Sequence, residues 1–172
     1  THKENPWIVR PIEIPNEPAL AYTRAANKVA LYGPTWILLT LIPHVMGMGN
    51  VWLTIITFKL LIIVFYLSFL TLIWKQTKSL WNVGFFAFNP LIIFELLNDS
   101  HNDIVMMTMV AAAIILLQRK SQLQRWVAIK LFAASVFIKG ASIVLLPLYF
   151  FRARSSDFIW RMAYWLLFVV FC

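Results

Sequence analysis

From residue 34 onward the chain is a succession of apolar runs separated by short polar stops. The run "YGPTWILLTLIPHVMGMGN" opens at Tyr32-Gly33-Pro34, where proline suits the first turn of a helix. It holds only about 14 apolar residues before Gly47 and Gly49, against the roughly 20 helical residues a bilayer core requires. This first helix is therefore expected to be re-entrant or interfacial. Val51–Trp74 reads as a full span stopped by "KQTK", Ser79–Leu97 as a second, and Ile104–Leu117 as a third stopped by "QRKSQLQR". Trp126–Ile138 is short and broken at Lys139-Gly140; Ala141–Phe151 is another short apolar piece, and Phe158–Cys172 begins a last span. Residues 1–33 differ in kind, because Pro6, Pro11, Pro15 and Pro18 forbid a long helix there. The pattern gives an all-α fold: a Pro-rich loop over 1–33, then a polytopic transmembrane helical bundle with broken or re-entrant helices over 34–172.

Composition strengthens this reading. The chain is 61% hydrophobic and 13% charged, where a soluble domain carries roughly 25% charged residues. Its net charge of +8 is spread through short loops, so it reads as a topology signal and not as a nucleic-acid face. With both basic loops in the cytoplasm, the turn at 98–103 and the Pro-rich loop fall on the external side of the cytoplasmic membrane. A break at Lys139 returns "RAR" (Arg152, Arg154) to the cytoplasm, whereas one continuous 26-residue span would put it outside; the broken hairpin is preferred. Cys172, the single cysteine, excludes an internal disulfide. Thr1 opens in polar chain and Cys172 lies within an apolar run, so the chain reads as a piece of a longer polytopic protein.

The chemistry gathers in "FNPLIIFELLNDSHNDIVMMTMV", which places Glu95, Asp99, His101 and Asp103 within nine residues. Ionisable groups at membrane depth are costly and usually face a cavity or a site. Glu95 and Asp99 are four apart, which stacks them on one helical face. Helix capping by Asn98, Ser100 or Asn102 competes as an explanation, but it does not account for a carboxylate before the turn begins. His-x-Asp offers two ligands for a divalent cation, without a second clear ligand set, and no metal or cofactor is assigned.

Two lysines carry complementary charge. Lys139 lies at the helix break "FIKGAS", where an ammonium and free N–H groups suit a phosphate; snorkelling to the interface competes. Lys59, eight residues into its span, can meet the acidic turn, a lipid phosphate or a polar groove. Trp7 and Trp36 are the two tryptophans placed to stack on a sugar at the external side.

Four pieces, "ENPWIVRP", "YGPTWILLTLIP", "FNPLIIFELLNDSHND" and "FIKGASIVLLPLYF", stand in the order seen in GT-C-type membrane glycosyltransferases. The chain most resembles the bacterial polyprenyl-phosphate-mannose-dependent α-mannosyltransferases. It departs in "NPW" for the usual NPY and in "DSHND" for a small-residue lead into HND. The resemblance implies inverting transfer of a hexose, mannose by analogy, from a polyprenyl-phosphate donor to an extracytoplasmic glycan or lipid acceptor. It implies that Lys139 and Lys59 hold the donor phosphate and that His101, Asn102 and Asp103 line the sugar or acceptor pocket. Tyr32, Trp7 and the Pro-rich loop would roof it, with Asp99 and Glu95 in support. The principal catalytic base of such enzymes lies upstream of the NP element, before Thr1, so this stretch alone is expected to be inactive. A proton-coupled carrier is the rival reading, since intramembrane carboxylates and a lysine at a broken helix also suit transport.

Overall fold

The computed structural model describes residues 4–14, 16, 20, 26–30, 32–119 and 121–147, and every regular element among them is helical. Helix α1 (Pro34–Met46) starts where extended Gly33 hands over to Pro34 and stops at Gly47, after 13 residues. Its length matches the short helix expected there. Helix α2 (Val51–Thr77) is capped by Asn50, whose Oδ1 accepts the Leu53 N–H at 3.1 Å. Its 27 residues extend about 40 Å. It ends at Lys78, which takes a left-handed conformation with φ 53°.

The expected second span is not one helix. Helix α3 (Leu80–Ala87) stops at Phe88, and α4 (Pro90–Ile92) restarts at a 53° angle before widening into a π-helix over Ile93–Asn98. The cause is local. Pro90 has no N–H to continue α3, and Asn89 Oδ1 caps the new helix by accepting the Leu91 N–H at 2.9 Å. Helix α5 (Asp103–Leu117) and helix α6 (Gln122–Val136) follow. α6 begins before Trp126 because Gln122, Gln124 and Arg125 are good helix formers despite their polarity.

The break at Lys139 is real: a 3₁₀ turn over Gly140–Leu145 replaces the helix. Ser135 Oγ and Ser142 Oγ meet at 3.2 Å, whereas residues seven apart in a continuous helix are about 10 Å apart along its axis. The chain therefore folds back there. Among the described residues one helix, α2, is long and apolar enough to cross a membrane, and the bent pair of Leu80–Ala87 with Pro90–Asn98 makes a second if it is counted as one span. The expected span over 158–172 and the "RAR" segment lie outside the described residues.

Helices α2 and α5 run in the same direction. Lys59 reaches Asn98 just before α5, Thr108 Oγ1 donates to the Phe65 carbonyl at 3.1 Å, and further along Phe69 and Ala111 share a wall. Ile62, Tyr66, Ile104 and Val105 form the core between them, joined by Trp36, Leu96 and Ile138. Val110, Ala113, Ala128 and Phe132 make a second cluster between α5 and α6. Tyr66 O–H donates to the Ala87 carbonyl at 2.9 Å, pinning the end of α3 beside the bend. The other side of α2 leaves Ile56, Leu60, Ile63, Val64 and Leu67 exposed, an apolar face of the kind a lipid environment covers.

Candidate functional site

Between the π-helix and α5 the chain must turn sharply, and it does so through Ser100 at φ 55°, an uncommon conformation for a residue with a side chain. The wide π winding closes with the Asp99 N–H on the Phe94 carbonyl at 3.0 Å, and the His101 N–H reaches the Glu95 carbonyl at 3.3 Å. One ligand atom each from Glu95, Asp99 and His101 comes to within 4.8 Å of the others. Single π turns of this kind recur at functional sites.

His101 stands between two carboxylates. Its Nε2 is 3.6 Å from Glu95 Oε2 and its Nδ1 is 4.0 Å from Asp103 Oδ2. Asp103 occupies the first turn of α5, where the helix dipole favours an anion. Its Oδ1 accepts from Lys139 Nζ at 2.8 Å. This hydrogen bond holds the Lys139 ammonium above the usual lysine range, against a smaller opposing effect of burial. Lys59 Nζ donates to the Asn98 carbonyl at 3.0 Å, and Asn98 Nδ2 donates to Asp99 Oδ1 at 2.9 Å. Of the partners open to Lys59 from sequence, the acidic turn is the one it meets, through a backbone oxygen and not a carboxylate.

Capping does not explain the turn. Asn102 stands at the cap position of α5 in helical conformation and makes no side-chain cap bond. It is 3% exposed, and neither of its amide atoms has a hydrogen-bond partner. Ser100 Oγ bonds back to the Leu97 carbonyl, and Asn98 is engaged as above.

The Pro-rich segment reaches the same end. Trp7 Nε1 donates to the Tyr32 carbonyl at 3.1 Å, and the Ala30 N–H donates to the Pro6 carbonyl at 2.8 Å. The Gly33 N–H then donates to the Ile138 carbonyl at 3.2 Å, next to Lys139. A Cβ at Gly33 would lie 2.1 Å from the Phe137 carbonyl oxygen, so only glycine allows this approach. The Tyr32 ring meets Trp36 edge-on at 6.3 Å, and Trp36 meets Phe58 at 5.6 Å.

Sequence reasoning thus selected residues that the fold brings to one end: Glu95, Asp99, His101, Asp103, Lys139, Lys59, Tyr32 and Trp7. Trp36 is buried in the core and serves as packing, not as an exposed stacking platform. The metal-ligating geometry also differs from the His-x-Asp pair. Lys139 engages Asp103, and His101 groups with Glu95 and Asp99, an imidazole–carboxylate set whose chemistry suits a divalent cation. The Asn98 carbonyl and the Ile138 carbonyl were not foreseen, because a backbone acceptor has no residue signature. The burial of Asn102 was hidden by its place in a polar turn.

Chemically, the cluster combines cations that can meet a phosphate with carboxylates and an imidazole that can accept or pass a proton. Residues 4–153 match a family described as alpha-(1->6)-mannopyranosyltransferase, N-terminal domain. No curated protein and no solved structure matches the chain.

Proposed function

The chain belongs to the alpha-(1->6)-mannopyranosyltransferase N-terminal domain family, and from that premise we propose that it forms part of a multi-pass GT-C-type enzyme of the cytoplasmic membrane. The enzyme moves mannose from a polyprenyl-phosphate donor to an extracytoplasmic glycan or lipid acceptor, with inversion at the anomeric carbon. The observation that carries the reading is the Lys139–Asp103 pair, set beside His101 and under the Tyr32–Gly33 junction. A preorganised cation can stabilise the charge that grows on a departing phosphate, and a carboxylate beside it can hold a hydroxyl.

In the reaction the acceptor oxygen bonds to the anomeric carbon as the bond from that carbon to the phosphate oxygen breaks. The acceptor proton passes to a base, and polyprenyl phosphate leaves with the bonding electrons. Lys139 stabilises the charge growing on the leaving phosphate, as a preorganised cation does. Lys59 secures the Asn98 turn and borders the phosphate. His101 and Asp103 hold hydroxyls and relay protons in support, with Glu95 and Asp99 orienting the imidazole. Asn102, buried beneath the turn, backs the pocket from behind and does not itself touch the sugar. Tyr32, tethered by Trp7, covers the site from the Pro-rich side. Placing the 98–103 turn outside keeps the basic loops at Lys75–Lys78 and Arg119–Arg125 in the cytoplasm, in accord with the positive-inside bias.

The test uses membranes carrying the full-length protein and two labelled mannose donors, polyprenyl-phosphate mannose and a nucleotide mannose. Label should reach acceptor from the lipid donor alone. Transfer from the nucleotide donor in the absence of lipid carrier would overturn the proposal.

A further inference from the structure

A groove of about 390 Å³ opens between α2 and α5 at the ends opposite the acidic turn. Its walls are Phe69 and Ile73 of α2 with Ala111 and Ile115 of α5, where Ala111 contributes only a methyl group. Its mouth is polar, set by Gln76 and Gln118. Each glutamine has exposed cations beside it in the chain: Lys75 and Lys78 around Gln76, and Arg119 after Gln118. Arg125 Nε donates to the Arg119 carbonyl at 3.4 Å, which brings a further guanidinium to the same turn. The sequence contains no Asp or Glu from residue 18 to 94 or from 104 to 156. The one acid in these two helices, Asp103, lies at the far end of α5, so no carboxylate of either helix offsets the positive charge at the mouth.

We propose that this groove binds one anionic phospholipid of the surrounding leaflet, with an acyl chain in the apolar cleft and its phosphate at Lys78 and Arg119. The volume falls in the range of about 300–1,000 Å³ typical of small-ligand sites. A helix about 10 Å across would lie over such a cleft without entering it. A second copy of this chain would bring the same cations against the mouth. An anionic headgroup instead meets amide donors and cations, and a guanidinium can hold phosphate oxygens in a paired geometry. The donor lipid is a different occupant: α5 separates Asp103 from Gln118 by about 22 Å, so a phosphate at Lys139 cannot also serve this mouth. The inference rests on the reading that these helices lie in a bilayer.

The experiment uses the full-length protein in detergent and native mass spectrometry with dioleoyl phosphatidylglycerol or dioleoyl phosphatidylcholine. Phosphatidylglycerol should be retained about tenfold over phosphatidylcholine, the ratio expected when clustered Lys and Arg meet an anionic headgroup. Lys78→Glu with Arg119→Glu should abolish the preference, and Ala111→Phe, which fills the cleft, should do so independently. Equal retention of the two lipids would overturn the proposal, as would a preference unchanged in the charge variants. A preference that survives Ala111→Phe would overturn the cleft assignment, and displacement of phosphatidylglycerol by polyprenyl phosphate would assign the site to the donor lipid instead. Should Ala111→Phe not fold, the charge variants decide. Release of the protein from membranes by alkaline wash would refute the bilayer reading itself, a separate outcome.

Discussion

Lys139 and Asp103 lie 36 residues apart in sequence and 2.8 Å apart in space, joining the break after α6 to the first turn of α5. Both side chains remain partly open to solvent, at 43% and 30% exposure. A pair this accessible contributes little to stability, about 0.2–1 kcal/mol. Its position beside His101 and the Tyr32–Gly33 junction is better explained by chemistry than by folding energy. The double variant Asp103→Lys with Lys139→Asp should therefore lose only about 1 kcal/mol, from the cation now at the start of α5, while transfer stays abolished. Recovery of transfer in the swapped protein would show that the pair acts only as a structural clamp.

The same pair fixes a pH dependence. Hydrogen bonding to Asp103 raises the Lys139 pKa in the folded protein. Its contribution to stability is therefore fully present below the unfolded lysine value of about 10.4, and is lost as pH rises through the higher folded value. Unfolding of the native protein and of Lys139→Met, compared from about pH 8 to about pH 12, should show a stability gap that closes at the alkaline end. A gap that widens with alkalinity would contradict the assignment.

Gly33 should tolerate no side chain. Gly33→Ala drives a methyl group into the Phe137 carbonyl and should cost about 1–3 kcal/mol, read as a lowered melting temperature. Transfer should fall as well, because Tyr32 is carried on this junction.

Trp7→Phe keeps the aromatic bulk but removes the indole donor to the Tyr32 carbonyl. The expected loss is about 0.5–1.5 kcal/mol of local tethering. Hydrogen exchange at the Ala30 and Gly33 amides should speed up while exchange in the α2–α5 core is unchanged.

Much of this arrangement was legible in the chain. Prolines and glycines mark the start and end of α1, and the apolar run from Val51 makes α2 unmistakable. Asp, His and Lys in otherwise apolar sequence announced the polar end. The bend at Asn89-Pro90 was written in the residues as well, yet a hydropathy reading passes over it because both sides are equally apolar. The π winding and the left-handed Ser100 had no such signal, since each arises from closing the turn between two packed helices. Asn102 illustrates the same limit: composition makes it a cap, whereas burial against the core leaves its amide uncommitted. Lys59 was visible as an oddity, but its partner is a carbonyl, and every residue has one.

The central claim is that Lys139 and Asp103 serve transfer from a lipid-phosphate donor. The most direct measurement is the rate of labelled mannose transfer from polyprenyl-phosphate mannose by full-length Lys139→Ala and Asp103→Asn in membranes, at matched protein level. Each should fall about 10²-fold or more, the usual loss when a charge-stabilising or proton-handling group is removed. Rates within a factor of about two of the native protein in both variants, a difference well under 1.4 kcal/mol, would contradict the account.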